Sequence, residues 1–256
     1  MLAGVMPNRE PSLPLSLMMA DLVGAVPLRL LDAVWDGWIE PAAKRRRLKR
    51  LENAGLVEPA ASDDDGERIL RLTQAGRLAV LGGRDPEQCW SRPWDGRWRL
   101  VLFDVPEKHR SKRIRLQRQL RRAWFGYLQD SVWVSPDPFD VLETWMRPTG
   151  TDLANLSFLE ARPCVGLTDA DIVKGSWSFA RINQLYGEHT AVLRDLPSPQ
   201  ASGRAQGAWL KAEWQAWQRA LEMDPLLPEA LLPSGYRGRR ALEARRARLG
   251  KLLGLG

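Results

Sequence analysis

Six cations fall within the seven positions from 44 to 50, as Lys44, Arg45, Arg46, Arg47, Lys49 and Arg50, and Leu48 alone interrupts them. Groups of this kind do not activate a nucleophile or move a proton at neutral pH; they donate hydrogen bonds to anions. The arginine fork matches the two acceptors of a guanine edge, and a lysine acts as a point charge on a phosphate. Pro41 after Glu40 fits the first turn of a helix, and Gly55 fits a left-handed stop. Leu48 and Leu51, with Ala43 or Ala54, supply an inner stripe, which leaves the cations outside. A charge run of this kind is also what a merely solvated helix face looks like. Position decides between the two. Residues 56–60 (LVEPA) and 67–73 (ERILRLT) read as a β-hairpin across the polar turn SDDDG, and the second strand adds Arg68 and Arg71. A basic helix ahead of a glycine and a hairpin is placed to enter a major groove.

Other chemistry is harder to find. No Ser-His-Asp or Cys-His set, Walker glycine loop or G-x-G-x-x-G is legible, so covalent and nucleotide-driven catalysis have no visible apparatus. The two cysteines, Cys89 and Cys164, lack C-x-x-C spacing, and His109 and His189 are the only imidazoles, which argues against a disulfide framework and a zinc site. No catalytic residue, metal or cofactor is assigned. Asp104 closes an apolar run, but one carboxylate is a poor ligand set for a divalent ion. Its simpler role is a helix cap or a structural contact beside Pro106.

The elements that must position these groups can be read in chain order. Residues 1–14, with three prolines, read as a disordered leader, and Met6 is an alternative start. Two short helices are expected over 15–23 and 28–35, broken at Gly24 to Pro27, and with the basic helix and hairpin they make a winged helix-turn-helix over 15–83. The tip of that wing, Asp63, Asp64 and Asp65, is acidic and would be repelled by phosphates. Residues 84–93 read as a linker. In the run WRLVLFDVPE from Trp98, Leu100, Val101, Leu102 and Phe103 leave no polar face and predict a strand buried on both sides. A helix is expected from Pro106 to Gly126, with Leu116, Leu120, Ala123 and Trp124 inward and Lys112, Arg113, Arg115, Arg118, Arg121 and Arg122 outward. Those cations read either as phosphate contacts or as a solvated face. Residues 127–136 return as one extended segment, 138–146 as a short helix and 155–161 as a strand, giving a small sheet domain over 94–163 with helices on one face. The rest, 164–256, is helical and tryptophan-rich: a packing helix over 168–193, a Pro, Gly and Ser connection over 196–207, and two more helices around a proline-rich corner.

Net charge +7 and a pI near 9.8 favour a polyanionic partner. A 44% hydrophobic, 27% charged chain is a globular one with material for cores, and no apolar run reaches the roughly 20 residues of a membrane span. The segment LPLSLMMA is too short for a signal core, so a cytoplasmic location without membrane contact is expected.

Three stretches carry a resemblance: an apolar strand ending in FDVPE, followed by a basic helix and GYLQDSVWVSP; the basic helix with Arg45, Arg50, Leu51 and Gly55; and MDPLLPEALLP with SGYRG over 223–238, which includes Tyr236. Together they resemble the PaaX family, bacterial repressors of phenylacetate degradation genes. The resemblance implies a ferredoxin-like middle domain, similar to the small CRISPR-associated nuclease subunit, in which a carboxylate at the position of Asp104 is proposed to hold a divalent ion. It also implies a homodimer that binds double-stranded DNA and senses a coenzyme A thioester of an aromatic acid, such as phenylacetyl-CoA. Trp177, Arg181 and Tyr186 are candidates for holding that effector.

The expected fold class is thus α+β, with an N-terminal winged helix-turn-helix, a central ferredoxin-like domain and a C-terminal α-helical domain. The expected function is an effector-released DNA-binding repressor of a catabolic operon, not an enzyme. Two alternatives stay open: a metal-dependent nuclease or nucleic-acid-processing protein built on Asp104, and a regulator whose DNA-binding head has decayed.

Overall fold

The computed structural model describes residues 26–27, 41–60, 69–81, 83–103, 107–139, 156–198 and 201–252. In chain order these form β1 (Val26–Pro27), α1 (Pro41–Asn53), β2 (Val57–Pro59), β3 (Ile69–Leu72), α2 (Gln74–Val80), α3 (Pro86–Ser91), β4 (Trp98–Phe103), a 3-10 turn (Glu107–His109) and α4 (Arg110–Arg122). There follow β5 (Gly126–Gln129), β6 (Val132–Ser135), β7 (Leu156–Ala161), α5 (Asp169–Ser176), α6 (Phe179–Arg194), α7 (Gly203–Met223), a second 3-10 turn (Glu229–Leu231) and α8 (Gly238–Leu252). The class is α+β. Two compact units share these elements, each assembled from separated stretches. The first takes Pro86–Asn183 and Met223–Tyr236; the second takes Leu2–Asp85, Gln184–Glu222 and Arg237–Gly256.

The first unit is built on a sheet of order β5-β6-β4-β7 with every neighbouring pair antiparallel. Four strands in this order, with α4 joining β4 to β5, follow the β-α-β-β arrangement expected of a ferredoxin-like middle. The helix expected over 138–146 lies largely outside the described residues. Alternation along β4 divides its side chains. Val101 and Phe103 pack with Leu116, Leu120, Phe125 and Trp133 beneath α4, whereas Trp98 packs with Val134, Ile172, Val173, Leu227 and Leu231 on the other face. The expectation that helices cover one face is therefore corrected. α5 and the 227–231 segment cover the second, which explains why β4 has no polar side.

Residues 127–136 are two strands, not one. Asp130, with φ 35°, turns the chain between β5 and β6. α4 stops at Arg122, short of Gly126, and Trp124 takes the left-handed position (φ 58°), its N–H reaching the Arg121 carbonyl while that of Phe125 reaches Leu120. Gly126 does not end the helix but permits a close approach, since a Cβ there would lie 2.5 Å from the Ser176 Cβ and 2.7 Å from the Trp177 ring. The single packing helix expected over 168–193 is also two. Thr168 caps α5 in a reciprocal capping box with Asp171, and at Trp177 (φ −135°, ψ 140°) the chain leaves the helix, the indole N–H donating to the Trp124 carbonyl at 3.3 Å. Finally, the expected linker 84–93 contains α3, whose Trp90 is buried.

In the second unit α1 ends in the anticipated glycine stop. Gly55 (φ 68°) donates to the Glu52 carbonyl, and the Leu56 N–H reaches Leu51 at 3.0 Å. Ala54, one candidate for the inner stripe, is exposed in the turn after the helix. The β-hairpin of β2 and β3 forms as expected, and β1 adds to β3 to give a three-stranded antiparallel sheet. Leu48, Leu51, Leu56, Val57, Leu70, Leu72 and Val80 make the core, with Trp214 of α7 packed against it. Thr73 caps α2 by accepting from the Gly76 N–H, and its hydroxyl donates to the Gly55 carbonyl at 2.5 Å. The leader, the helices expected over 15–23 and 28–35, and the acidic turn with Asp63 to Asp65 lie outside the described residues.

Candidate functional site

On α1 the two leucines fix the orientation of the helix, because Leu48 and Leu51 are buried in the core. Arg45, Arg46, Lys49 and Arg50 are all exposed. At about 100° per residue these four span an arc of about 140°. The side chains of Lys44 and Arg47, and the whole of Arg68 and Asp104, fall outside the described residues. Arg71 is tied down: its Nε donates to Glu58 at 2.6 Å across the β2–β3 ladder. Both partners are half-exposed, so the pair adds little stability, yet it leaves Arg71 matched to a carboxylate of its own chain.

The first unit contains an open groove of about 510 Å³ between the start of α6 and the second 3-10 turn. Trp177, Phe179, Leu231 and Pro233 line it with apolar surface, and Lys174 and Asp169 bring charge. Of the three effector candidates, Trp177 lines this groove, while Arg181 is exposed on the following turn of α6. Tyr186 does not join them. It is wholly buried in the second unit, its ring 6.0 Å from that of Trp217. Lys174 was missed, although its spacing of three from Trp177 was a usable signal.

A polar staple also escaped the sequence reading. Arg92 places Nε and Nη2 on the Asp137 carboxylate at 2.7 and 3.2 Å and donates to the Leu226 carbonyl at 2.6 Å. Leu226, buried and left-handed at φ 49°, donates its own N–H to Asp224 at 2.8 Å. Asp224 in turn accepts from the Tyr236 hydroxyl, which receives the Trp90 indole N–H at 3.2 Å. The MDPLLPEALLP–SGYRG segment is thereby pinned to α3 and to the exit of β6. A second cluster surrounds Arg99, which is buried and donates to both oxygens of Asp95 at 2.8 and 2.6 Å. Arg99 holds the Asp95 carboxyl below its ordinary range.

Along α4 the charge is one-sided. α4 has no acidic residue in its first turn, and Lys108, Lys112, Arg115, Arg118 and Arg122 are exposed. Arg121 is used differently, its guanidinium lying 5.5 Å from the Trp133 ring centroid. Among the described residues no group of three His, Cys, Asp or Glu side chains is arranged to hold a metal ion, and no helix is long and apolar enough to cross a membrane.

Comparison with known proteins agrees with this arrangement. Residues 91–173 match the family model of the PaaX protein central Cas2-like domain, and residues 177–253 match that of the PaaX-like protein C-terminal domain. The chain belongs to the PaaX family. It is 25% identical over 189 residues to the transcriptional repressor PaaX of Escherichia coli (strain K12), a match covering 68% of this chain and 56% of that protein. It thus spans little more than half the length of that curated relative. The solved structure of the uncharacterized protein Rv0674 from Mycobacterium tuberculosis superposes with a TM-score of 0.55 at 21% identity, covering 94% of this chain and 96% of that one, which supports the fold.

Proposed function

We propose that this chain is a DNA-binding transcriptional regulator, a repressor of a catabolic operon that a small-molecule effector releases from its operator. The observation that carries the reading is the exposed row Arg45, Arg46, Lys49 and Arg50 on a helix whose other side is locked into a hairpin core. Residues 15–83 then serve as a winged helix-turn-helix head, with α1 in the major groove and its arginines on base edges. Similarity to a transcriptional repressor supports the same role. The protein acts by binding, without catalysis, as a homodimer on double-stranded DNA.

The effector is an acyl-CoA, phenylacetyl-CoA or a relative. Trp177 and Phe179 offer an apolar slot for an aryl group, and Lys174 with Arg181 offers cations for the phosphates. An effector that binds the DNA-incompetent form more tightly weakens operator affinity by the same free energy with which the operator weakens effector binding.

Fluorescence anisotropy tests the proposal on duplex from the chain's own upstream region and on scrambled duplex, with and without phenylacetyl-CoA. Preference for the upstream duplex by roughly a thousandfold, abolished by the thioester and by Arg45→Ala with Arg50→Ala, is the expected result. Full selective affinity in the double variant removes α1 as the reading helix.

A further inference from the structure

We infer that the outer face of α4 is a second DNA-contacting surface, one that binds the phosphate backbone of duplex DNA without reading sequence. Lys108, Lys112, Arg115, Arg118 and Arg122 are all exposed. The four on α4, from Lys112 to Arg122, fall within an arc of about 120° at 100° per residue and, at about 1.5 Å per residue, line about 15 Å of helix, with Lys108 on the 3-10 turn just before it. Duplex DNA presents about one negative charge for each 1.7 Å of its axis, so a straight row of cations of this length meets several phosphates.

A solvated helix face ordinarily mixes charges of both signs, often in supporting pairs of glutamate and lysine. α4 itself supplies no carboxylate for such pairs. From Arg110 to Arg122 its sequence, RSKRIRLQRQLRR, contains no carboxylate. Arg121 and Arg122 in the last turn suit the helix dipole, but neighbours three and four apart, such as Lys112 with Arg115 and Arg118 with Arg122, carry like charges and repel, and the cations of the first turn oppose the dipole. Helix stability therefore does not account for the cations ahead of the last turn, and burial does not either, since Leu116 and Leu120 are the buried residues of the helix. An anionic partner does. A duplex fits better than a compact anion, because the charge is spread along the helix rather than gathered into a pocket.

This inference extends the regulator reading but rests on a different unit and fails separately from it. The test measures the salt dependence of anisotropy for the full chain on upstream and scrambled duplexes, comparing wild type with a variant carrying Lys112→Gln, Arg118→Gln and Arg122→Gln. Loss of affinity by the same factor on both duplexes is expected, with the slope of log K against log salt shallower by between about 1 and about 3. The preference ratio should not change. Arg118→Lys with Arg122→Lys keeps the charge and should keep the slope, which separates lost phosphate contacts from damaged folding. Unchanged affinity and slope in the glutamine variant overturn the inference while leaving α1 as the reader. A shallower slope in a protein with no sequence preference upholds the inference and removes the regulator reading. Absence of duplex binding by the wild type removes both.

Discussion

At the scale of single residues, a tightly held group is the buried set His189, Glu213 and Arg245 in the second unit. Glu213 and His189 are fully buried, and one carboxylate oxygen meets both His189 Nε2 at 2.8 Å and Arg245 Nε at 2.7 Å. Arg245 also lies 5.1 Å from the Trp217 ring centroid. Burial pushes the Glu213 carboxyl up, but Arg245 and His189 outweigh it and hold the group below its usual 4.5. A depressed folded value means that the ionised form stabilises the fold at and above neutral pH, and that this contribution is lost as pH falls through the folded value. Glu213→Gln should cost about 3–5 kcal/mol in urea denaturation, because a buried guanidinium loses its counter-charge. The variant should also show a shallower loss of stability below about pH 4.5 than wild type. A cost under 1 kcal/mol, or an unchanged acid limb, argues that water compensates Arg245.

At the scale of elements, the α1 head depends on how closely backbone approaches backbone. A Cβ on Gly76 would sit 1.9 Å from the Leu56 carbonyl oxygen, whereas at Gly55 there is open space but a left-handed φ of 68°. Gly76→Ala should therefore cost about 3 kcal/mol through overpacking, and Gly55→Ala about 1–2 kcal/mol through backbone strain. Thermal or urea melts rank the two, and the reverse order would mean that α2 can slide away from β2. The sequence revealed one of these glycines and not the other. Gly55 follows a helix pattern and announces itself as a stop, while the need for Gly76 arises from a chain neighbour twenty residues earlier. The same contrast runs through the first unit. Apolar runs and punctuation located β4, the hairpin of β2 and β3, and α1 almost to the residue. The breaks at Asp130 and Trp177 escaped because each is imposed by a partner: a strand to pair with, and the Trp124 carbonyl that takes the Trp177 indole. The candidate site divides likewise. The α1 cations were visible as composition, but the groove joins Lys174 and Trp177 to Leu231 and Pro233, more than fifty residues away.

At the scale of the whole molecule, the two units cut across a simple partition of the chain. The second face of the β4 sheet is covered by Ile172 and Val173 of α5 and by Leu227 and Leu231. A fragment comprising residues 94–163 lacks all four. It should leave Trp98, Leu100 and Val134 uncovered, bind a hydrophobic dye and melt without a cooperative transition. A sharp two-state melt of that fragment would show that α4 alone suffices to hold the sheet. The wild-type chain should melt cooperatively under the same conditions.

The interleaving also sets a timetable for synthesis. Trp214 packs against the core of the α1 head, whose last strand ends at Leu72. At roughly 5–20 residues per second a ribosome takes about 7–30 s to travel from one to the other. During that interval the basic helix leaves the ribosome, itself a polyanion, with its apolar backing incomplete. For a nascent chain of this design, association through the uncovered apolar side of the head is a hazard that the late-arriving tryptophan ends.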